Sequence, residues 1–124
     1  MLAVCRQLGI EETVVPGIAT AFGGGMGGTG SVCGALAGAV MAIGLRHGRR
    51  DPSERDAKAY TLTQELRRRF EAAMGHADCR DLTGMDLSTR EGVKQFYASD
   101  VPRTVCMPAV GVAYKTVVEL LQAP

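Results

Sequence analysis

The chain has 124 residues with 14 Lys and Arg against 13 Asp and Glu, a net charge of +1. That length suits one compact domain, and the charge lacks the basic surplus a nucleic-acid binder needs. At 46% hydrophobic and 22% charged the chain can build a core, but with 5% aromatics, no Trp and 16 Gly that core must come from Ala, Val, Leu and Met on closely approaching backbones.

Helical periodicity runs through almost every segment. Met1–Leu8 spaces Leu2, Val4, Cys5 and Leu8 by three and four, and Gly9 suits its end. Glu11–Phe22 reads as a second short helix with Val14, Val15, Ile18, Ala21 and Phe22 on its apolar face, and Pro16 implies a late start or a kink. A glycine block, Gly23 to Gly30, follows. Ser31 is then an N-cap for a helix to about Leu45, ended by Gly44 or Gly48.

Asp51-Pro52-Ser53-Glu54 is the strongest start signal: a cap, Pro at the first helical position and Glu at the capping-box position. The helix it predicts carries a stripe of Ala59, Leu62, Leu66, Phe70, Ala73 and Met74 and closes at Gly75. His76–Ser88 reads as a polar loop, Arg90–Ala98 as a short helix, and Ala109–Leu121 as a final apolar helix after Pro102 and Pro108. No stretch alternates as a strand would. The predicted fold is all-α, a single domain over 1–124 with about five to six helices and a glycine-rich loop, Arg46 to Asp56 being a charged turn inside it.

Four cysteines, Cys5, Cys33, Cys79 and Cys106, need a role. Met1–Ile10 has no basic start and carries Arg6 within its apolar run, unlike an export signal. The longest apolar run, Val32 to Leu45, is short for a membrane helix, so no membrane insertion is expected. A cytoplasmic chain without disulfides keeps cysteines for packing, metal or redox work.

The glycine block contains G-x-G-x-x-G twice, starting at Gly23 and at Gly25. A dinucleotide fingerprint needs a preceding strand and a phosphate loop needs a following Lys, and neither is present. The block instead supplies positive φ angles and close backbone approach. It leads into a helix whose second residue, with Ser31 as cap, is Cys33; the dipole end there favours thiolate. Gly34 and Gly38 each cost about 1 kcal/mol against Ala in a helix. Their spacing puts them on one face, where a second helix or a cofactor can come close.

The glycine block, CGALAG, GAVMAIGL, the Cys within C-R-D-L-T-G and a last Cys before the terminal helix resemble the C_GCAxxG_C_C family of small redox proteins. A similar domain occurs in split-Soret cytochromes c. The resemblance implies that Cys33, Cys79 and Cys106 act together, holding an iron–sulfur cluster or another metal. The family's first cysteine falls about nine residues before Cys5, so the chain resembles one that begins partway through that helix. At about 100° per residue Cys5 would then face the opposite side. Cys5 taking over by a shifted geometry, and a three-cysteine site whose fourth ligand is a His, solvent or a partner group, both stay open.

From the residues alone, soft thiolates select iron–sulfur, zinc or copper(I). Yet neither C-x-x-C nor zinc-finger spacing is present, which also disfavours a thioredoxin-style pair. His76 and His47 are better read as helix C-terminal cations, Arg67–Arg69 as a solvated face, and Met107 as core filler beside Cys106. The first expectation is a redox protein with metal or cluster at Cys33, Cys79 and Cys106, Cys5 joining as fourth ligand or not, serving electron transfer or metal and sulfur handling. A metal-free thiol–disulfide protein or sensor, with Cys33 as nucleophile, is the second, and a helical partner-binding module the third. No catalytic acid–base pair stands out. A redox partner protein, no nucleic acid and a homodimer complete the expectations.

Overall fold

The computed structural model of this protein describes every residue except Glu12 and Asp56. The start of the helix expected at Glu11–Phe22 and the end of the turn expected at Arg46–Asp56 therefore fall partly outside the described residues. The described chain is all-α, with one isolated antiparallel bridge, Val32–Asp78, and no strand. It has more helical segments than the five or six expected, because two short coils form within what read as loops.

Helix α1, Leu2–Leu8, stops where Gly9 turns left-handed at φ 64°. Helix α2 starts late, at Val15–Ala19, because Pro16 fits only a first turn; a 3-10 turn, Thr20–Phe22, continues it. Of the apolar face expected there Val15 is buried, whereas Val14 and Ile18 are 62% and 54% exposed. Helix α3, Gly23–Met26, is a tight coil with left-handed backbone at Gly24 and Gly25.

Helix α4 is Gly34–His47, closed at Gly48. Ser31 does not cap it. Cys33 is the cap residue itself, because Ser31 and Cys33 spend their backbone groups on the segment before Cys79. Helix α5 is Lys58–Met74 and ends, as predicted, at a left-handed Gly75. Its predicted start at Asp51-Pro52-Ser53-Glu54 is overturned. The Asp51 carboxylate takes the Ser53 N–H and hydroxyl, and Glu54 takes the Arg50 N–H. Those bonds complete a local turn, so Asp51 has no helix to cap.

Helix α6, Cys79–Thr83, closed by left-handed Gly84, occupies part of the expected polar loop. Helix α7 is Arg90–Ala98, the predicted range, with the Thr89 hydroxyl accepting the Gly92 N–H at 2.9 Å. A π-helical turn, Pro102–Cys106, runs without a break into helix α8, Met107–Gln122. The continuous helical stretch Pro102–Gln122 has 21 residues, with mean hydropathy 1.4 over its most apolar 18, long and apolar enough by length and composition to cross a membrane. It reaches that length because the π turn joins two pieces that read as separate, and Arg103, Lys115 and Glu119 interrupt it as an apolar run.

Helices α4, α5 and α8 pack on one another. Leu36, Ala39, Ala42 and Ile43 of α4 meet Leu66 and Phe70 of α5 and Ala109, Ala113, Val117 and Leu121 of α8, with Val4 of α1 closing one end. Phe70 is fully buried, worth about 1.5–3 kcal/mol in apolar transfer. The alanines on α4 and α8 let those two helices approach closely, so their N-terminal ends lie side by side. There the cysteines gather.

Candidate functional site

Val32 and Asp78 pair across the antiparallel bridge. Two backbone bonds hold it: the Cys33 N–H to the Ala77 carbonyl at 2.8 Å, and the Cys79 N–H to the Ser31 carbonyl at 2.7 Å. Each cysteine thus follows a bridge residue and opens a helix, Cys33 as the cap of α4 and Cys79 as the first residue of α6. The bridge thus brings the starts of α4 and α6 together. All four cysteines are free thiols.

Cys106 arrives from the opposite side, at the end of the π turn, inside a continuous helix rather than at the loop junction its sequence context suggested. Cys33, Cys79 and Cys106 line one cavity of about 460 Å³. Its remaining wall includes Leu82, Leu87, Val93, Phe96 and Val110, and no lining residue carries a charge.

Burial pushes the Cys79 thiol above the ordinary thiol range, and the neighbouring Cys33 and Cys106 add to the rise. A hydrogen bond from the Thr83 side chain opposes it. Cys106 is likewise pushed up, first by burial and then by Cys33. Desolvation disfavours thiolate, so these two thiols stay protonated at neutral pH unless a bound cation draws the proton off. Cys33 has a different setting. It caps α4 without a side-chain capping bond, and the first-turn N–H groups of that helix have no intrahelical acceptor. Gly34 and Ala35 in that turn line the cavity. The donors available to a sulfur ligand are therefore those of the α4 N-terminus.

Among the described residues no three His, Cys, Asp or Glu side chains stand close enough together to hold a metal ion. A single zinc would want sulfurs about 4 Å apart, given metal–sulfur bonds of about 2.3 Å. Cys33, Cys79 and Cys106 share a cavity without meeting that spacing. As a donor set, three soft sulfurs on an uncharged wall fit an iron–sulfur cluster, whose several irons span more than one ion does.

Cys5 is fully buried on α1, its carbonyl taking the Ile10 N–H at 2.9 Å, and it does not line the cavity. Gly34 does, and a methyl group there would lie 3.1 Å from the Phe22 carbonyl oxygen. Gly38 faces Met1 instead. The face they share receives the chain from two directions. His76 lies in a separate polar depression with Arg67, Glu71, Asp78 and Asp81, and Met107 is 65% exposed off the cysteine wall. Thr83, which bonds to Cys79 and donates to its carbonyl at 2.8 Å, was not singled out by sequence. Its only signal there is the position four residues after Cys79, one helical turn on.

Residues 1–120 match the sequence model of a family described as "Putative redox-active protein (C_GCAxxG_C_C)". No curated protein and no solved structure matches the chain.

Proposed function

This chain belongs to the C_GCAxxG_C_C family, and we propose that Cys33, Cys79 and Cys106 form its redox centre by holding an iron–sulfur cluster between them. One observation carries the reading: the Val32–Asp78 bridge seats Cys33 and Cys79 at the starts of two helices, and both line one uncharged cavity with Cys106. When bound, such a group supplies electron transfer at a potential set by burial and by hydrogen bonds to its sulfurs. The α4 N-terminus offers those hydrogen bonds, and the wall around the thiols is largely apolar. The three thiols leave one cluster position to solvent or to a group from a redox partner protein. A cytoplasmic setting keeps the thiols reduced for this role.

The test is iron, zinc, copper and acid-labile sulfide content of anaerobically purified protein, with a visible spectrum, beside Cys33→Ser. Iron and sulfide in equal amounts, lost in Cys33→Ser, are the expected result. Metal without sulfide would replace the cluster by a mononuclear site, and absence of both would overturn the reading.

A metal-free thiol–disulfide role is favoured by one further fact: Cys33 lines the same cavity as Cys79 and Cys106 and its charge helps push both of their thiols up. The Cys33 thiolate would attack a partner's disulfide, releasing one partner thiol and leaving a mixed disulfide. Attack by Cys106 on the Cys33 sulfur would release the second thiol and leave a Cys33–Cys106 disulfide. Two electrons and two protons pass to the partner. Four titratable thiols and no metal would select this reading.

A further inference from the structure

The glycine block contributes more to the site than flexibility: methyl groups at Gly28 and Gly30 would lie 2.9 Å from the Leu87 carbonyl oxygen and the Arg80 Cβ, and the tightest approach, at Gly25, is to a cysteine of the site. Gly24, Gly25, Gly27, Gly28 and Gly30 all have positive φ. Their surroundings differ. A methyl group at Gly27 would come no closer than 4.0 Å to the Ala21 carbonyl oxygen, and at Gly24 it would touch only the Leu87 side chain at 3.6 Å. At Gly25 it would lie 2.5 Å from the Ser31 oxygen, 2.6 Å from the Ser31 nitrogen and 2.7 Å from the Cys79 Cβ.

Those three atoms belong to one joint. The Ser31 N–H donates to the Gly25 carbonyl at 2.9 Å, and the Ser31 carbonyl accepts the Cys79 N–H at 2.7 Å. The space beside Gly25 is therefore occupied by the Ser31 carbonyl oxygen that accepts the Cys79 N–H, by the Ser31 nitrogen, and by the first atom of the Cys79 side chain. Gly25 is itself buried, so a side chain has no outward escape. Ser31 and Cys79 would have to part.

We propose that Gly25 is a positioning residue for the redox centre: its missing side chain lets the Ser31 backbone and Cys79 close on each other, and so sets the separation of Cys79 from Cys33. This rests on the reading of the three-thiol cavity as the centre, but its geometry can be tested without any metal. The Cys33–Cys106 relation does not pass through the joint. Substitution at Gly25 therefore disturbs one thiol pair and spares the other.

The experiment is cross-linking of the full-length, reduced, metal-free protein with dibromobimane, which links two nearby thiols, followed by mass mapping. Wild type, Gly25→Ala and Gly27→Ala are compared. Both substitutions place Ala at a positive φ and cost about 1–2 kcal/mol in backbone strain. Only Gly25→Ala adds the clash. The expected result is that Gly25→Ala lowers the Cys33–Cys79 link relative to the Cys33–Cys106 link by about fivefold or more, well within the roughly hundredfold that a displacement of about 1 Å can cost. Gly27→Ala keeps the wild-type ratio.

An unchanged ratio in Gly25→Ala, or the same change in both variants, would overturn the proposal. Should Gly25→Ala fail to fold, a semisynthetic chain with D-alanine at 25 decides, since its methyl group leaves the backbone on the other side at the same φ. Folding with the wild-type ratio supports the proposal. Failure of that chain too would refute it. Loss of iron and sulfide from the wild type, by contrast, would bear on the cluster and leave this result standing.

Discussion

Val32 and Asp78 face each other in the single antiparallel bridge of the described chain, and the residue after each is a cysteine that begins a helix. Forty-six positions of sequence separate those cysteines (79 − 33). Two backbone hydrogen bonds, of 2.7 and 2.8 Å, bring them to one cavity wall independently of side-chain packing. Backbone bonds of this kind are short and directional, so the pair is held more tightly than helix packing alone would hold it.

The first prediction separates the cysteines. Serine in place of Cys33, Cys79 or Cys106 should each abolish the cysteine-dependent iron and sulfide content, because each removes one wall of the same cavity. Cys5→Ala should leave that content at the wild-type level. Cys5 is fully buried and off the cavity wall, so its loss should cost only stability, on the order of 1 kcal/mol. Metal analysis and denaturant unfolding on the four variants check both halves. Loss of iron in Cys5→Ala would return it to the ligand set.

The pH dependence of the metal-free protein follows from the raised Cys79 and Cys106 thiols. A group whose folded pKa lies above its unfolded value binds more protons folded than unfolded across that interval. Its stability contribution is complete below the unfolded thiol value, about 8.5, and is lost as pH climbs through the folded value. Thermal melts of the reduced apo-protein from roughly pH 7 to pH 10 should therefore show a fall on the alkaline side. The Cys79→Ala, Cys106→Ala double variant should flatten it. A stability that rises with pH in this range would contradict the assigned burial of the two thiols.

At α7 two neighbouring substitutions should differ sharply in cost. Thr89→Ala removes the side-chain cap on the Gly92 N–H and should cost about 1 kcal/mol. Gly92→Ala places a methyl group 1.7 Å from the Asp86 carbonyl oxygen and 2.9 Å from the Thr89 hydroxyl. It should cost several times as much, because the Asp86 turn must move off the helix start, in the range of about 4 kcal/mol or more reserved for buried clashes. Equilibrium unfolding orders the two. Equal costs would show the turn to be freely mobile.

Phe70 carries the third interface of the core. Its ring is fully buried among α4, α5 and α8. Phe70→Ala should lower stability by about 3–5 kcal/mol, the sum of lost transfer energy and the cavity left behind. Phe70→Leu should cost markedly less. Urea unfolding of the two variants gives the comparison, and similar losses would mean that the site collapses around the smaller side chain.

Much of the fold is legible from local chemistry. The left-handed glycines at Gly9 and Gly75 end helices where the periodicity stops, and α7 covers its predicted range behind the Thr89 cap. Errors arise where a local signal competes with another partner. Asp51 and Glu54 carry the residues of a capping box, but their carboxylates serve Ser53 and Arg50, and α5 begins after them. Ser31 is a good cap by type, but its carbonyl is claimed by Cys79, so the cap position passes to Cys33. In both cases a polar group had two acceptable uses, a side chain at Asp51 and Glu54 and a backbone carbonyl at Ser31, and sequence cannot rank them.

Composition, helical period and glycine punctuation determine by themselves that this chain is all-α and where most of its helices end, while the match of its cysteine and glycine motifs places it in the C_GCAxxG_C_C family. These depend on residues near one another in sequence, or on their types alone. The Val32–Asp78 bridge, the shared cavity of Cys33, Cys79 and Cys106, the exclusion of Cys5 from it and the role of Gly25 are decided only by the tertiary structure. Each depends on atoms brought together from segments distant in sequence. That closeness has no period and no spacing along the chain to announce it.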